Sequence, residues 1–309
     1  MNPDLSKLKR YPLADRQNLV DRSRFGTLLP PDLAYWRMIE AWPDFLGARA
    51  FRELVEGIHR AWQSGALVGM SIGAHVLKVG LGPTLVDLME RGILKAVAMH
   101  GAGAIHDYEL AATGKTSEDV KTSLEDGSFG MAEDTGRAFA NACREAHQRG
   151  EGLGQSFGRQ LQGLPFAKDS VLAAGVRLNI PVTVHVAIGA DIVHMHPELD
   201  GAALGAATLE DFRRLAGTLA GLENGAWLNV GSAVILPEVF LKALTISRNL
   251  YGGPRNFLAA NLDMIRHYRP KVNVLDRPTG GKGLDLAGHH EMMLPMLRLG
   301  VLGRALVSE

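Results

Sequence analysis

The chain has 309 residues, and its 33 Lys and Arg balance 33 Asp and Glu, so its formal net charge is zero. A hydrophobic content of 46% excludes an unstructured chain, and the balanced charge excludes broad binding to nucleic acid or an anionic membrane surface. The single cysteine, Cys143, excludes an internal disulfide and a thiolate metal cluster, and it is expected to pack as a small hydrophobe on a helix.

Residues 1–30 are polar and read as an arm, loose or packed on a neighbouring subunit, ending at Pro30-Pro31. No apolar run follows its charges and no later stretch reaches about 18 apolar residues, so neither a secretory leader nor a membrane span is expected; a cytoplasmic protein is. Apolar residues one helical turn apart predict helices over 32–42 and 48–63. From Ala66 the pattern changes. Short apolar runs predict strands at 66–72, 93–99, 181–187, 226–230 and 271–276. Helices are expected over 83–91, 104–112, 132–149, 153–162, 170–178, 208–220, 237–249 and 289–299. Residues 114–131 read as a polar excursion over the surface, and the stretch before 208 as a long loop.

Near-continuous apolar strands alternating with helices predict a doubly wound α/β, mostly parallel sheet. The simplest division is an N-terminal arm with helices over 1–65 and one Rossmann-type domain over 66–309. Ligands of such sheets bind beyond the carboxyl ends of the strands. Four glycine turns are expected there, at 100–104, 187–191, 231–233 and 279–283. Glycine lets a backbone approach a pyrophosphate, and a following helix offers free N–H groups. Each turn alone also fits a tight turn without ligand; together they favour a nucleotide or dinucleotide. Asp276, Gly280 and Gly281 join the cofactor candidates on this ground. A rival reading takes His185, Asp191, His194 and His196 as a metal cluster, since imidazoles and carboxylates hold zinc or iron.

Three segments carry a family resemblance: KVGLGPTLVDLMERGILKAVAMHGAGAIHDYEL (78–110), SVLAAGVRLNIPVTVHVAIGADIVHMH (170–196) and LNVGSAVILPEVFLKAL (228–244). In this order, and with 271–300 after them, the chain resembles deoxyhypusine synthase. The resemblance implies an NAD-binding doubly wound domain with a helical N-terminal extension, assembled as a homotetramer with sites at dimer interfaces. That family oxidises spermidine with NAD and passes the aminobutyl group to a protein lysine or, in relatives, to putrescine. An enzyme lysine carries the group as an imine.

Residue by residue, the resemblance places Gly101, Ala102, Gly103, Asp107, Gly231 and Ser232 at the cofactor, with His75 in a Ser-Asn pair that reads Ala74-His75 here. Asp191 falls on the Asp of a Gly-Asp pair and Glu291 on an acidic residue of the catalytic loop. Departures are as informative. Pro237-Glu238 replaces a histidine pair, and Leu297 stands where the family lysine would be. Lys282 is the lysine left in that loop.

The expectation is therefore an NAD-dependent transferase or hydride-transfer enzyme acting on a polyamine or similar small amine. Asp191, Glu291, Lys282 and His185 are its catalytic candidates, and deoxyhypusine synthesis itself is not expected. The alternatives are an NAD-binding homologue without catalysis and the metal-assisted enzyme.

Overall fold

Four of the expected strands form close to where the apolar runs place them. In a computed structural model, which describes residues 3–307, the strands are β1 (Asn18–Asp21), β2 (Val68–Ile72), β3 (Ala96–His100), β4 (Lys115–Glu118), β5 (Val182–His185), β6 (Ala226–Val230), β7 (Leu258–Asp263) and β8 (Leu284–Ala287). The ends of the expected 1–30 arm and 66–309 domain (residues 1–2 and 308–309) lie outside the described residues.

Six strands form one sheet in the order β5-β3-β2-β6-β7-β8, every pairing parallel. Counted along the chain this is 3-2-1-4-5-6, the doubly wound order of dinucleotide-binding sheets, whose direction reverses between the first and fourth strands. Here that point lies between β2 and β6. The strands are buried on both faces, as their apolar runs require. One face carries Trp227, stacked on Phe240 at 5.3 Å between ring centroids. Gly69 is forced by this ring, since a Cβ there would lie 2.3 Å from it.

One register row crosses all six strands: Thr183, Ala98, Ser71, Asn229, Asn261 and Asp285. Asn229 Nδ2 donates to Asn261 Oδ1 at 2.9 Å, and Asn261 Nδ2 donates to Asp285 Oδ1 at 3.0 Å. The outer edge of β5 is satisfied by a helix. Asp211, on Gly201–Leu219, accepts from the Val184 and Gly154 amides, both at 2.8 Å.

The last third departs from expectation. Residues 271–276, read as a strand from their alternating apolar positions, form a π-helix after Pro270. β7 and β8 are the strands instead. This reverses the placement of the 279–283 glycine loop: it precedes β8 and lies at the amino edge of the sheet, where Pro278 O accepts from Arg248, a neighbour of the turn entering β7. The expected loop before 208 holds the first two turns of Gly201–Leu219, capped by Asp200, whose carboxylate accepts from the Ala202 amide.

The arm also differs. It lies on its own chain, with β1 antiparallel to β4, and the supposed surface excursion supplies β4 and buries Thr116. Arg22 bonds Asp169 and lies over Phe166 at 4.9 Å. Helices Leu33–Glu40 and Leu46–Gln63 share a core with the sheet and the last helix, through Trp36, Ile39, Phe51, Leu54 and Leu297. Cys143 is fully buried, and burial pushes its thiol up to about 12, so it is inert. No helix among the described residues is long and apolar enough to cross a membrane.

Candidate active site at the carboxyl edge

β2 and β6 end in glycines that touch. Gly73 donates its N–H to Val230 O at 2.8 Å, and a Cβ on Gly73 would lie 2.0 Å from Gly231 O. Gly231 has φ +69°, and a Cβ there would meet the His290 ring at 2.7 Å. Glycine is thus required at both positions by the fold itself. His75 follows Gly73, and its ring centroid lies 5.9 Å from that of His290. Burial and the nearby His290 hold His75 below the usual histidine range. Ser232 faces inward, where its Oγ accepts from the Leu236 amide at 3.2 Å in the first turn of Ile235–Tyr251.

Near these strand ends three buried polar atoms have no partner among the described residues: His100 Nδ1, His290 Nδ1 and Asn229 Oδ1. Their roles follow from their bonded sides. Ala74 N–H donates to His100 Nε2 at 3.3 Å, so the His100 proton sits on Nδ1. His290 Nε2 lies 3.2 Å from Leu262 O, so it carries the proton and Nδ1 is an acceptor. Unsatisfied buried groups cost about 1–3 kcal/mol each, so this set calls for hydrogen-bonding partners from outside the chain.

The turn after β3 is used differently from expectation. Helix Gly101–Thr113 begins at Gly101, and a Cβ there would lie 2.2 Å from Asp191 Oδ2. The protein's own carboxylate therefore occupies the helix N-terminus expected to receive a phosphate. Asp191 is 7% exposed, its Oδ2 has no hydrogen-bond partner among the described residues, and burial raises its carboxyl above the usual range, opposed by His194 and the Ala102 and Ala187 backbone. A Cβ on Gly103 would meet Met99 at 3.3 Å, so Gly103 serves helix–strand packing. Replacing Gly101 by Ala should push the Asp191 loop off the helix and cost about 1–3 kcal/mol by urea unfolding; unchanged stability would show that the loop rests elsewhere.

Other candidates do not converge. Asp107 is removed from the cofactor set: its carboxylate accepts from Ser170 Oγ at 2.6 Å and the Leu172 amide at 2.9 Å, capping Val171–Leu178. Asp276, Gly280, Gly281 and Lys282 are removed because they lie at the amino edge; Asp276 pairs with Lys271 at 2.6 Å, and Lys282 is exposed. The metal reading also fails. His185 bonds Thr183, His194 lies on Asp191 O, and His196 lies on Gly130 O; no group of three His, Cys, Asp or Glu among the described residues is placed to hold a metal ion. Burial drives His185 down to about 3, so it is neutral at ordinary pH and moves no proton there. Glu291 is exposed in the first turn of His290–Ala305, within electrostatic reach of His75 but lining a different cavity from Asp191. Leu297 is 2% exposed in the core, and Glu238 is bonded to Arg269 and Asn273.

Sequence spacing missed the groups beside Asp191. A cavity of about 250 Å³ is lined by Asp191, Ala102, Lys78, His106, Glu109, Ser117 and arm residue Arg16, among others. Arg16 donates to both oxygens of Glu109, at 2.9 and 2.6 Å, and the Thr116 and Thr135 hydroxyls complete that carboxylate. With the Thr116 hydroxyl given to Glu109, His106 Nδ1–H donates to Thr116 Oγ1 at 2.7 Å. Burial drives His106 down to about 4.

No family model and no curated protein matches the chain. Solved structures do. AgrE, crystallised with ornithine and NAD+, matches at TM-score 0.54 and 16% identity over 84% of this chain and 34% of its own. A conserved protein assigned to the LOR/SDH type from Methanococcus maripaludis S2 matches at TM-score 0.50 and 15% identity over 89% of this chain and 71% of its own. A chain assigned to deoxyhypusine synthase from Entamoeba histolytica gives TM-score 0.48 and 10% identity over 85% and 91%. This chain spans about a third of AgrE's length. The likeness is one of fold: a doubly wound, Rossmann-type parallel sheet.

Proposed function

We propose that the chain is an NAD-dependent enzyme of hydride transfer on a small amine, with the cofactor at the β2–β6 crevice and the amine beside Asp191. The carrying observation is the 3-2-1-4-5-6 sheet, with the His100 and His290 nitrogens that have no partner among the described residues beside its switch point. AgrE, whose fold this chain shares, was crystallised with NAD+ and ornithine, which supports this cofactor and an amine substrate. NAD supplies acceptance of a hydride from carbon.

The chain's residues do the rest. His100 offers a donor and His290 an acceptor to cofactor polar groups. Asp191 pairs with the substrate ammonium and, with its carboxyl held high, takes the proton that the nitrogen must lose before its carbon can give up a hydride. Transfer through an enzyme-bound imine is not part of this reading, because Leu297 is a core residue and Lys282 lies at the opposite edge of the sheet. Assembly into a homotetramer belongs to the same proposal; exposed Phe45 and Leu46 are the surface it would cover.

Titration calorimetry of the purified protein with NAD tests the reading. Binding is expected, and Gly231→Ala should weaken it more than about tenfold by driving His290 aside. Absence of binding by the wild-type protein refutes it.

A further inference from the structure

The cavity beside Asp191 has more than one kind of charge on its wall. Asp191 lines it, and this buried carboxylate has no cationic side chain within ion-pair distance among the described residues. Lys78 lines the same cavity, and no carboxylate among the described residues lies within ion-pair distance of it. Its charge is felt by His75 on the crevice side and by His106 on the cavity side, which places it between the two. Arg16, the other cation on the wall, is spent on Glu109. Ser117 holds its place in the wall at φ +66°, a left-handed conformation that serine rarely adopts.

We propose that this cavity seats an α-amino acid, its ammonium on Asp191 and its carboxylate on Lys78. The inference rests on the NAD-dependent reading and names the substrate class of that site. With His106 neutral, the wall carries three carboxylates (Glu109, Glu118 and Asp191) against two cations (Arg16 and Lys78). One negative charge is left, which a basic amino acid of net charge +1 balances. A diamine fits worse: it has nothing for Lys78 to bind, and its second ammonium adds to the positive charge there. The Lys78 ammonium also selects against amines lacking a carboxylate, because a partly buried cation without a counter-charge keeps part of its desolvation cost.

L-lysine and cadaverine differ by one carboxylate and are the probes. Calorimetry on the full chain, with NAD present and absent, should show L-lysine binding more than about tenfold tighter than cadaverine. In Lys78→Gln the preference should fall below about threefold with the thermal melting curve retained, and Asp191→Asn should weaken both probes. Equal binding of the two probes, a preference for cadaverine, or binding of neither overturns the inference. NAD binding is read separately. If L-lysine is preferred but NAD does not bind, the cavity assignment stands and the NAD-dependent reading fails. If NAD binds without the preference, the amino-acid assignment alone fails.

Discussion

Arg16→Ala should destabilise the protein by about 3–5 kcal/mol, because it strands Glu109 as a buried charge. Both side chains are nearly inaccessible, at 4% and 1%, and Arg16 supplies two of the four hydrogen bonds to the carboxylate. The same guanidinium lies 3.8 Å from Glu118, so two carboxylates lose their cation. The pair also fastens the arm, alongside the Arg10–Glu198 ion pair, Tyr11, Leu13, the β1–β4 pairing, Arg22 and the Leu29 carbonyl that accepts from Arg298. Urea unfolding and limited trypsin digestion check this together: a lowered midpoint and new cleavage within residues 10–24 are the expected results. The double change Arg16→Met, Glu109→Leu should recover most of the loss, since apolar groups of similar size leave no charge to desolvate. A loss below about 1 kcal/mol in Arg16→Ala would mean that Glu109 is wet and the arm is open.

Stability should fall as pH rises through the range set by Asp211. Burial raises this carboxyl from 3.8 to about 7, against the pull of the Val184 and Gly154 amides. Between those values the folded state keeps a proton that the unfolded chain has released. The unfolded state therefore binds fewer protons there, and the unfolding free energy drops with increasing pH. At 1.36 kcal/mol per unit, the full window is worth up to roughly 4 kcal/mol. Asp211→Asn keeps an acceptor for both amides and does not titrate, so it is the reference. Urea unfolding of the two proteins at several values from pH 4 to 8 should show the wild type losing ground steadily to the variant. If the wild type gains instead, the amides outweigh burial and the carboxylate is ionised in the native protein.

The parallel core was legible because β2, β3, β5 and β6 are short apolar runs between glycine-rich turns. β7 was not, because Leu-Ala-Ala-Asn-Leu-Asp has little strand propensity and gains its place from pairing with β6. Lys-Val-Asn-Val-Leu-Asp shows the converse, an alternating pattern that a preceding proline and the sheet surface bend into a π-helix. That single exchange carried the 279–283 loop from the amino edge to the carboxyl edge in the sequence reading, and with it Lys282. In the site, Asp191 was found because a glycine and an aspartate adjoin a strand end. Arg16, Lys78, His106 and Ser117 come from four segments with no shared spacing, so nothing short of the fold brings them together.

The amide line across β6, β7 and β8 bears on how the sheet finds its alignment. Parallel strands that are apolar on both faces slide past one another at little cost, since one valine or alanine replaces another. Moving β7 by one residue sets Ala260 or Leu262 against Asn229 in place of Asn261. The Asn229 amide then keeps only its bond to Ser232 O, and buried Asn261 loses its bonds to both Asn229 and Asp285, a penalty of about 1–3 kcal/mol for a group left unsatisfied. Three polar side chains thus supply the positional information that their apolar neighbours lack, and misaligned sheets are disfavoured by the bonds they forfeit.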